Sequence, residues 1–457
     1  MPQLPPRPAV ELAAPYRDST YDPRVPRDLL ADEVAQRRES GYDVDDVVRA
    51  ANSTDPQDRS AVLALVDGMA DAVRRPGWEY EEPDGLDAVR DSVDPAPAAP
   101  VRTGTDAFAD RVHAAWLGRI AGCNLGKPVE YGAHWTVEHI RDYLTLADAY
   151  PLTDYIPVLD PMPAGFELRE CWPETTRGRV NGSARDDDID YTILALHLLE
   201  THGTAGLRTE HVGEAWTELF PVAQVFTAER AAYINLVNGV RGPEVARFRN
   251  PYREWIGAQI RGDMFGYVHP GEPWTAAALA HRDAALSHVG NGVYGEMWAA
   301  ALVAAAFTAS GAGEALAAAR SVVPPRSRLH EALEHVERLH ADGADWEEAL
   351  AAIRSAYGHY SWVHTVNNAA AVAAALLWSG GDWTAAVGRV VMSGWDTDSN
   401  GATVGSVAAV LAGSPSALPG RFTEPLADRT QSALFGFDNS AISGLAERTV
   451  RLARSAG

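Results

Sequence analysis

The chain has 457 residues, of which 46% are hydrophobic, so it can bury a large core and form more than one structural unit. Its 39 Lys and Arg residues against 62 Asp and Glu residues give a formal net charge of −23. Proteins bind nucleic acid mainly by neutralising phosphates with Lys and Arg, so this balance argues against a nucleic-acid partner. A phosphorylated substrate would have to meet bound cations, a helix N-terminus or a local cluster of Arg.

Cysteine content and apolar runs bear on the compartment. The two cysteines, Cys123 and Cys171, exclude a dense disulfide framework and fit a reducing environment; we expect Cys123 to pack in the core. The first residues carry Pro and charge where a signal peptide needs an apolar run. The longest apolar run, residues 297–307, is shorter than the roughly 20 residues that span a bilayer and indicates a buried helix. We therefore expect a cytoplasmic protein with no membrane partner.

The first 105 residues are rich in Pro, Asp and Arg and contain two helical segments, PRDLLADEVAQRRES and DRSAVLALVDGMADAVRR. They end in DPAPAAPVRTGT, which is typical of a connection between units. The sequence thus predicts an N-terminal Pro-rich helical extension, residues 1–105, packed on a main domain of residues 106–457.

Beyond residue 105, apolar residues recur with the period of a helix, and alternating strand-like runs are almost absent. The predicted helices cover residues 107–121, 190–201, 213–226, 296–310, 328–341, 346–357, 367–377 and 383–392. Residues 143–185 hold Pro, Gly and Asp at high density and predict a long irregular loop, a kind of segment that is often functional. The main domain is therefore predicted to be all-α.

Two acidic clusters stand out. ARDDDIDYTILALHLLE places four Asp residues, 186, 187, 188 and 190, before an apolar helix. One Asp can cap a helix, but four together repel one another unless a cation neutralises them. SGWDTDSNGATVGS places Asp396, Asp398 and Ser399 before a helix of small residues. Together the clusters offer up to six oxygen ligands, which suit two hard cations such as Mg²⁺, Mn²⁺ or Ca²⁺ better than Zn²⁺.

Three segments in this order, GRIAGCNLGKPVE (118–130), RDDDIDYTI (185–193) and GWDTDSNGATVGSVAAVLAG (394–413), resemble the motifs of the ADP-ribosylglycohydrolase family. This family includes the dinitrogenase reductase activating glycohydrolase and the eukaryotic ADP-ribosylhydrolases. The resemblance covers residues 106–413 and implies an all-α orthogonal helical bundle with two Mg²⁺ or Mn²⁺ ions at the base of a cleft. It also implies hydrolysis of an N- or O-glycosidic bond at C1 of a ribose.

The resemblance implies roles for individual residues. The metal ligands it implies are Asp186, Asp187, Asp188, Asp396, Asp398 and Ser399. Glu130 falls on the acidic residue that faces the substrate ribose. Asp187 is the first candidate for the general base, Glu130 the second, and Asp188 completes the catalytic set. Asp186 and Ser399 stand where the family usually has Thr, Ile189 replaces another Thr, and Asn124 stands where the family commonly has Asp; these departures bear on the substrate.

Further polar residues are candidates for substrate binding. The resemblance places His288, Asn291 and Tyr294 where family members line the ribose or adenine pocket, although the glycines around them also fit a tight turn. His364 and Asn367 match a segment that lies near the cleft in a subgroup of the family, and they could equally be cap and loop residues. Asn124 is a further candidate. Asn400 is expected to contact the substrate or a metal-bound water.

An Arg-rich segment provides a possible anion site. It contains Arg241, Arg247, Arg249, Arg253 and Arg261 within an otherwise acidic chain. Such a cluster could hold a diphosphate or a carboxylate, and it could also be an ion-pairing surface.

Three functions remain open. The partner is an ADP-ribosylated protein if the enzyme removes ADP-ribose from a side chain. It is a ribose-containing small molecule if the enzyme hydrolyses a free N-riboside, which the acidic surface, Asn124 and an extension that narrows the cleft would favour. The third possibility is a catalytically silent binding or structural protein, because the family resemblance extends to lens crystallins.

Overall fold

The computed structural model describes residues 9–16 and 18–456. These residues form 22 α-helices and no strand or sheet, which confirms the all-α prediction. In the extension the helices are α1 (Pro26–Glu39), α2 (Asp45–Ala51), α3 (Arg59–Gly68) and α4 (Leu86–Ser92). The first half of the main domain holds α5 (Asp106–Gly126), α6 (Val137–Leu146), α7 (Trp172–Thr175), α8 (Asp187–Gly206), α9 (Thr209–Leu219), α10 (Thr227–Val237), α11 (Glu244–Arg247), α12 (Asp263–Val268) and α13 (Pro273–Ala284). The second half holds α14 (Gly290–Ala306), α15 (Ala312–Arg320), α16 (Arg328–Ala341), α17 (Trp346–Tyr357), α18 (Thr365–Trp378), α19 (Trp383–Met392), α20 (Thr397–Ala412), α21 (Gly420–Thr423) and α22 (Ile442–Ala456).

The predicted helix bounds hold best where capping signals are strong. Helices α16, α17 and α19 begin and end at the predicted residues, and each has an N-cap side chain that accepts a backbone N–H bond. The helix predicted over 213–226 was too long, because α9 ends at Leu219, just before Pro221. Helix α14 begins at Gly290 rather than at residue 296, so its glycines form a helical turn instead of a loop.

The described residues form two separate hydrophobic cores. Residues 10–72 enclose a small core in which Leu30, Val48, Val62 and Met69 are fully buried. The main core fills the rest of the molecule, and it includes Val89 of α4. The extension therefore has a folded part of its own and a second part that packs into the main domain.

Helix α14 lies at the centre of the main core, and all of its residues are buried. This agrees with the interpretation of its apolar run as a buried helix. No helix in residues 9–16 and 18–456 is both long enough and apolar enough to cross a membrane.

Helices α5 and α20 pack in direct backbone contact. A Cβ on Gly122 would overlap the carbonyl oxygen of Gly401, and a Cβ on Gly405 would overlap that of Gly118. Because the contact pairs run in opposite order along the two helices, α5 and α20 are antiparallel. This packing places the end of α5 beside the beginning of α20.

The chain between α6 and α8 is irregular apart from the single turn α7, as predicted for the long loop. It is attached to the end of α5 by the Arg169 amide, which donates to the carbonyl of Pro128 at 3.0 Å. The loop therefore forms one side of the region where α5, α8 and α20 meet.

Candidate active site and family

The antiparallel packing of α5 and α20 brings the first and third motifs together. Thr397 in the first turn of α20 donates a hydrogen bond from Oγ1 to the carbonyl of Gly126 at 2.9 Å. Glu130 follows directly after this contact. Carboxylate oxygens of Glu130, Asp396 and Asp398 lie within 4.8 Å of one another, which makes a first cluster of acids.

The first turn of α8 supplies the second motif. Asp186 is its N-cap and accepts a hydrogen bond from the amide of Asp188 at 2.9 Å. Arg119 of α5 is fully buried, donates to the carbonyl of Asp188 at 2.6 Å and pairs with Asp263 at 3.1 Å. Arg119 thereby fixes the start of α8 relative to α5.

A second cluster forms where α8 meets α5 and α20. Single ligand atoms of Cys123, Asp186 and Asp188 lie within 4.8 Å of one another. Ser399 Oγ donates to Asp188 Oδ2 at 3.4 Å and so joins α20 to this cluster. Cys123 is buried, as expected for a core residue, but its thiol also faces the acids, a contact that the sequence did not suggest.

The buried acids repel one another. Burial raises the pKa of Asp188 well above its usual value, and Asp398 and Asp187 raise it further. Burial, then Asp398 and Glu130, do the same to the pKa of Asp396. Burial and Asp398 raise the pKa of Glu130 to about 8. A group of carboxylates in this state is stabilised by a nearby cation.

Lys127 and Arg169 provide part of the positive charge. Lys127 forms an ion pair with Asp186, and Arg169 pairs with Glu130 at 3.3 Å. Burial alone would lower the pKa of Lys127, but the surrounding acidic groups raise it above its usual value. These two positively charged side chains lie beside the acids, but they are fewer than the acidic side chains.

Asp190 has a different role from its neighbours. Its side chain is fully buried and pairs with Arg185 at 2.8 Å. It also accepts hydrogen bonds from Ser432 Oγ at 2.6 Å and from the amide of Ala433 at 3.1 Å. Asp190 therefore attaches the C-terminal segment to α8 and is not one of the clustered acids.

The acids lie in a cavity of about 700 Å³. All seven residues predicted for metal binding and catalysis line it: Glu130, Asp186, Asp187, Asp188, Asp396, Asp398 and Ser399. The same lining includes the aromatic side chains of Tyr21, Tyr131, Phe226, Trp255 and Trp362. The site thus combines acidic and aromatic side chains in one cavity.

Asn124 and Asn400 do not line this cavity. Asn124 Nδ2 donates to the Ile120 carbonyl and to Ser183 Oγ, both at 2.8 Å. Asn400 is fully buried and donates to Asn368 Oδ1 at 2.7 Å. Asn368 also accepts from the amide of Asp396 at 3.2 Å. In place of the expected contact with substrate or water, Asn400 shares a partner that holds the start of α20.

His288, Asn291 and Tyr294 do not line this cavity either. Asn291 Nδ2 donates to Glu82 at 2.8 Å, and the Tyr294 hydroxyl donates to the carbonyl of Pro83. His288 is buried and bonds to Ser287 Oγ at 2.8 Å. These side chains, which were expected to bind substrate, thus make contacts with the extension and within the core.

His364 and Asn367 make helix-cap and loop contacts, the alternative to substrate binding. His364 caps α18 by accepting the amide of Val366 at 3.2 Å, and burial lowers its pKa to about 3. Asn367 donates to the carbonyl of Ser361 at 3.0 Å. Neither lines the acidic cavity.

The Arg-rich segment is an ion-pairing surface, mostly toward the extension. Arg247 pairs with Asp84, Arg249 with Asp67 and Arg253 with Glu33. Arg261 is buried and pairs with Glu229 and Asp283, and Arg241 donates to carbonyls of its own segment. Four of the five arginines therefore pair with acids of the chain itself, which is the ion-pairing alternative.

The sequence did not identify several residues that line the cavity. They are Thr20, Tyr21, Lys127, Arg169, Glu229, Trp255 and Trp362. Lys127 stands inside the first motif, so its position beside Glu130 was a usable signal. The aromatic residues are dispersed along the chain and gave none.

The sequence was compared with the sequences and structures of known proteins. The sequence matches the family described as ADP-ribosylglycohydrolase over residues 104–456. The chain belongs to the ADP-ribosylglycohydrolase family. Membership indicates a hydrolase of the glycohydrolase class that acts on ADP-ribose-type substrates.

A solved structure described as "ADP-ribosylglycohydrolase-related protein complex" is similar to this chain, with 17% sequence identity and a TM-score of 0.47. The match covers 77% of this chain and 100% of the other. No curated protein sequence matches the chain.

The donors at the site fit the divalent metals on which this family generally depends. Asp188 Oδ1 is buried and has no hydrogen-bond partner among the described residues. Apart from Cys123, the clustered donors are carboxylate and hydroxyl oxygens, which Mg²⁺ and Mn²⁺ prefer. An unpaired buried carboxylate oxygen is costly, and a bound cation would remove that cost.

Proposed function

We propose that the protein is a metal-dependent glycohydrolase that cleaves an N- or O-glycosidic bond at C1 of a ribose. The observation that carries this proposal is the convergence of the acids of three distant motifs on one cavity. Family membership supplies the reaction class. The aromatic side chains that line the same cavity would exclude water from the reacting bond.

We infer that Asp186, Asp187, Asp188, Asp396, Asp398 and Ser399 hold two divalent cations, Mg²⁺ or Mn²⁺. When bound, such ions would orient the ribose hydroxyls and stabilise the negative charge that develops on the attacking water as it loses its proton. Thr397 and Arg119 would act through these ligands, because they fix the first turns of α20 and α8.

We assign the general base to Asp187, whose half-buried side chain lines the cavity. It would take the proton of the attacking water as the bond at C1 loosens toward an oxocarbenium-like state. Glu130 is the second candidate, with its carboxylate held by Arg169. Asp188 contributes as a ligand rather than as a base, since it already accepts from Ser399.

ADP-ribosyl conjugates are the substrates that the family implies. A free N-riboside is the second candidate, and one observation favours it. Thr20 and Tyr21 of the extension line the cavity, so residues outside the matched region 104–456 narrow the access to the acids. A small ribosyl compound needs less open space there than a modified side chain on a folded protein.

Incubation with Mg²⁺ or Mn²⁺ and a panel of ADP-ribosylated peptides and free N-ribosides tests the proposal. Mass spectrometry would detect released ribose-bearing products, with the Asp398→Asn variant as the inactive control. Turnover of the peptides supports the first substrate class, and turnover of free ribosides alone supports the second. No turnover of either class by metal-loaded protein would contradict the proposed function and favour a binding or structural protein.

A further inference from the structure

The extension contributes directly to the acidic cavity. Its residues Thr20 and Tyr21 lie in the cavity lining, beside groups that belong to the family domain. The family match begins only at residue 104. The cavity of this chain is therefore completed by a segment that the family domain does not contain.

The segment that carries Tyr21 is held firmly in place. Thr20 donates to Asp28 Oδ2 from its amide at 3.0 Å and from its hydroxyl at 2.6 Å. Ser19 Oγ donates to Asp32 Oδ2 at 2.8 Å, and the Tyr252 hydroxyl of the main domain donates to the same oxygen at 2.9 Å. Helix α1 thus joins the segment to the main domain through Asp32.

The backbone of Tyr21 has a positive φ of 55°, a conformation that residues other than glycine rarely adopt. Such a conformation persists only where surrounding contacts impose it, and it is most frequent at functional sites. The hydrogen bonds of residues 19 and 20 impose it here. Tyr21 thereby lies in the cavity lining beside Trp255 of the main domain.

Tyr21 meets an aromatic surface that also lines the cavity. Its ring contacts Trp255 edge to face, with centroids 5.2 Å apart. Tyr131 and Trp362 form a second edge-to-face pair at 6.0 Å. Phe226 adds a further ring, 42% exposed. A cavity lined by both aromatic rings and acids suits a planar ring attached to a sugar.

We propose that Tyr21 is a specificity-determining residue that contacts a planar aromatic ring of the substrate. The inference rests on the proposed function, because the ring is carried by the ribose that reacts at the acids. The substrate class that fits is a ribosyl compound with an aromatic heterocycle. The extension then selects substrate, whereas the three motifs perform the reaction.

Binding measurements on the full-length, Mg²⁺-loaded protein test the inference. The probes are adenosine and nicotinamide riboside, which carry a ring, and methyl riboside, which does not. Affinities come from tryptophan fluorescence, and mass spectrometry of the same samples records cleavage. The variants are Tyr21→Ala, Tyr21→Phe and the control Tyr80→Ala, which alters a half-buried aromatic residue of the extension that does not line the acidic cavity.

We expect Tyr21→Ala to weaken binding of a ring-bearing riboside about tenfold while leaving methyl riboside unchanged, since one stacking contact is lost. Tyr21→Phe should stay within about twofold of the wild type because it keeps the ring. Tyr80→Ala should have no effect on any probe.

Three results would overturn the inference: no binding of either ring-bearing riboside by the wild type, unchanged affinity in Tyr21→Ala, or equal weakening of ring-bearing and ring-free probes. Failure of the proposed function looks different. The ribosides would then bind in a Tyr21-dependent manner but remain uncleaved.

Discussion

Ser399 Oγ on α20 donates a hydrogen bond to Asp188 Oδ2 on α8 at 3.4 Å. The contact joins the two acidic motifs, which lie far apart in the sequence, through the first turns of their helices. It exists because glycines let α5 and α20 approach until their backbones touch, while Arg119 of α5 holds the start of α8. The arrangement of the acids thus depends on helix packing as much as on the acids themselves.

The Gly122→Ala substitution tests that dependence. Its methyl group would overlap the carbonyl oxygen of Gly401, so α5 and α20 must separate. We expect the free energy of unfolding to fall by about 1–3 kcal/mol and Mn²⁺ affinity to fall as well. Gly68→Ala is the control, because a methyl group there meets open space in helical backbone and should stabilise by about 0.5–1 kcal/mol. Equal effects of the two variants in urea titrations would argue against the packing account.

Asp188 and Asp190 are neighbours with different expected phenotypes. Asp188→Asn should abolish measurable Mn²⁺ binding in calorimetry and raise the melting temperature of the metal-free protein, because it removes one of several repelling buried charges. Asp190→Asn should retain the metal stoichiometry but lower the free energy of unfolding by about 2–4 kcal/mol, since it breaks the buried pair with Arg185. The opposite assignment of phenotypes would contradict the proposed ligand set.

The Arg-rich segment should act by attaching the extension. Glu33 and Arg253 form a buried ion pair at 2.7 Å, so Glu33→Gln leaves a buried guanidinium poorly paired. We expect a loss of about 3–5 kcal/mol and faster proteolysis of the extension. Glu81→Gln, which breaks the exposed pair with Arg326, should cost at most about 1 kcal/mol. Similar proteolysis rates in both variants would show that the buried pair does not hold the extension.

Asp32 predicts a pH dependence of stability. Burial raises its pKa from 3.8 to about 7, so the folded protein keeps a proton that the unfolded chain releases. Its contribution is complete below the unfolded pKa and is lost as pH rises through about 7. Asp32→Asn should therefore be more stable than the wild type by about 2–4 kcal/mol at pH 8, with a smaller difference at pH 5. Asp46→Asn, which removes an exposed carboxylate, is the control in the same urea titrations.

The sequence placed the acids of the second and third motifs at the beginning of helices, because each motif encodes its own local structure. Asp186 caps α8 with its side chain, Asp396 stands at the N-cap position of α20, and small residues after Asp398 permit close packing. Residue type thus indicates both the ligand chemistry and the helix start. The pairing of α5 with α20 was not predicted, because the glycines that make the contact, such as Gly122 and Gly401, lie far apart in the sequence.

The aromatic side chains of the cavity and the partners of the Arg-rich segment could not be predicted in this way. Tyr21 meets Trp255 across a large separation in the chain, and neither residue lies in a recognisable local pattern. Asn291 and Tyr294 were candidate substrate contacts because the family resemblance places them where family members line the ribose or adenine pocket. Their side chains donate hydrogen bonds to Glu82 and Pro83 of the extension instead. The sequence around Asn291 and Tyr294 does not indicate these partners.

The most direct test of the central claim is the hydrolysis rate of a ribosyl substrate from the panel, measured while Mn²⁺ is titrated into metal-free protein. The account predicts no turnover without metal, a rate that rises with occupancy of two sites, and no turnover by Asp398→Asn at any Mn²⁺ concentration. Full activity in the presence of EDTA, or wild-type activity of Asp398→Asn, would contradict it.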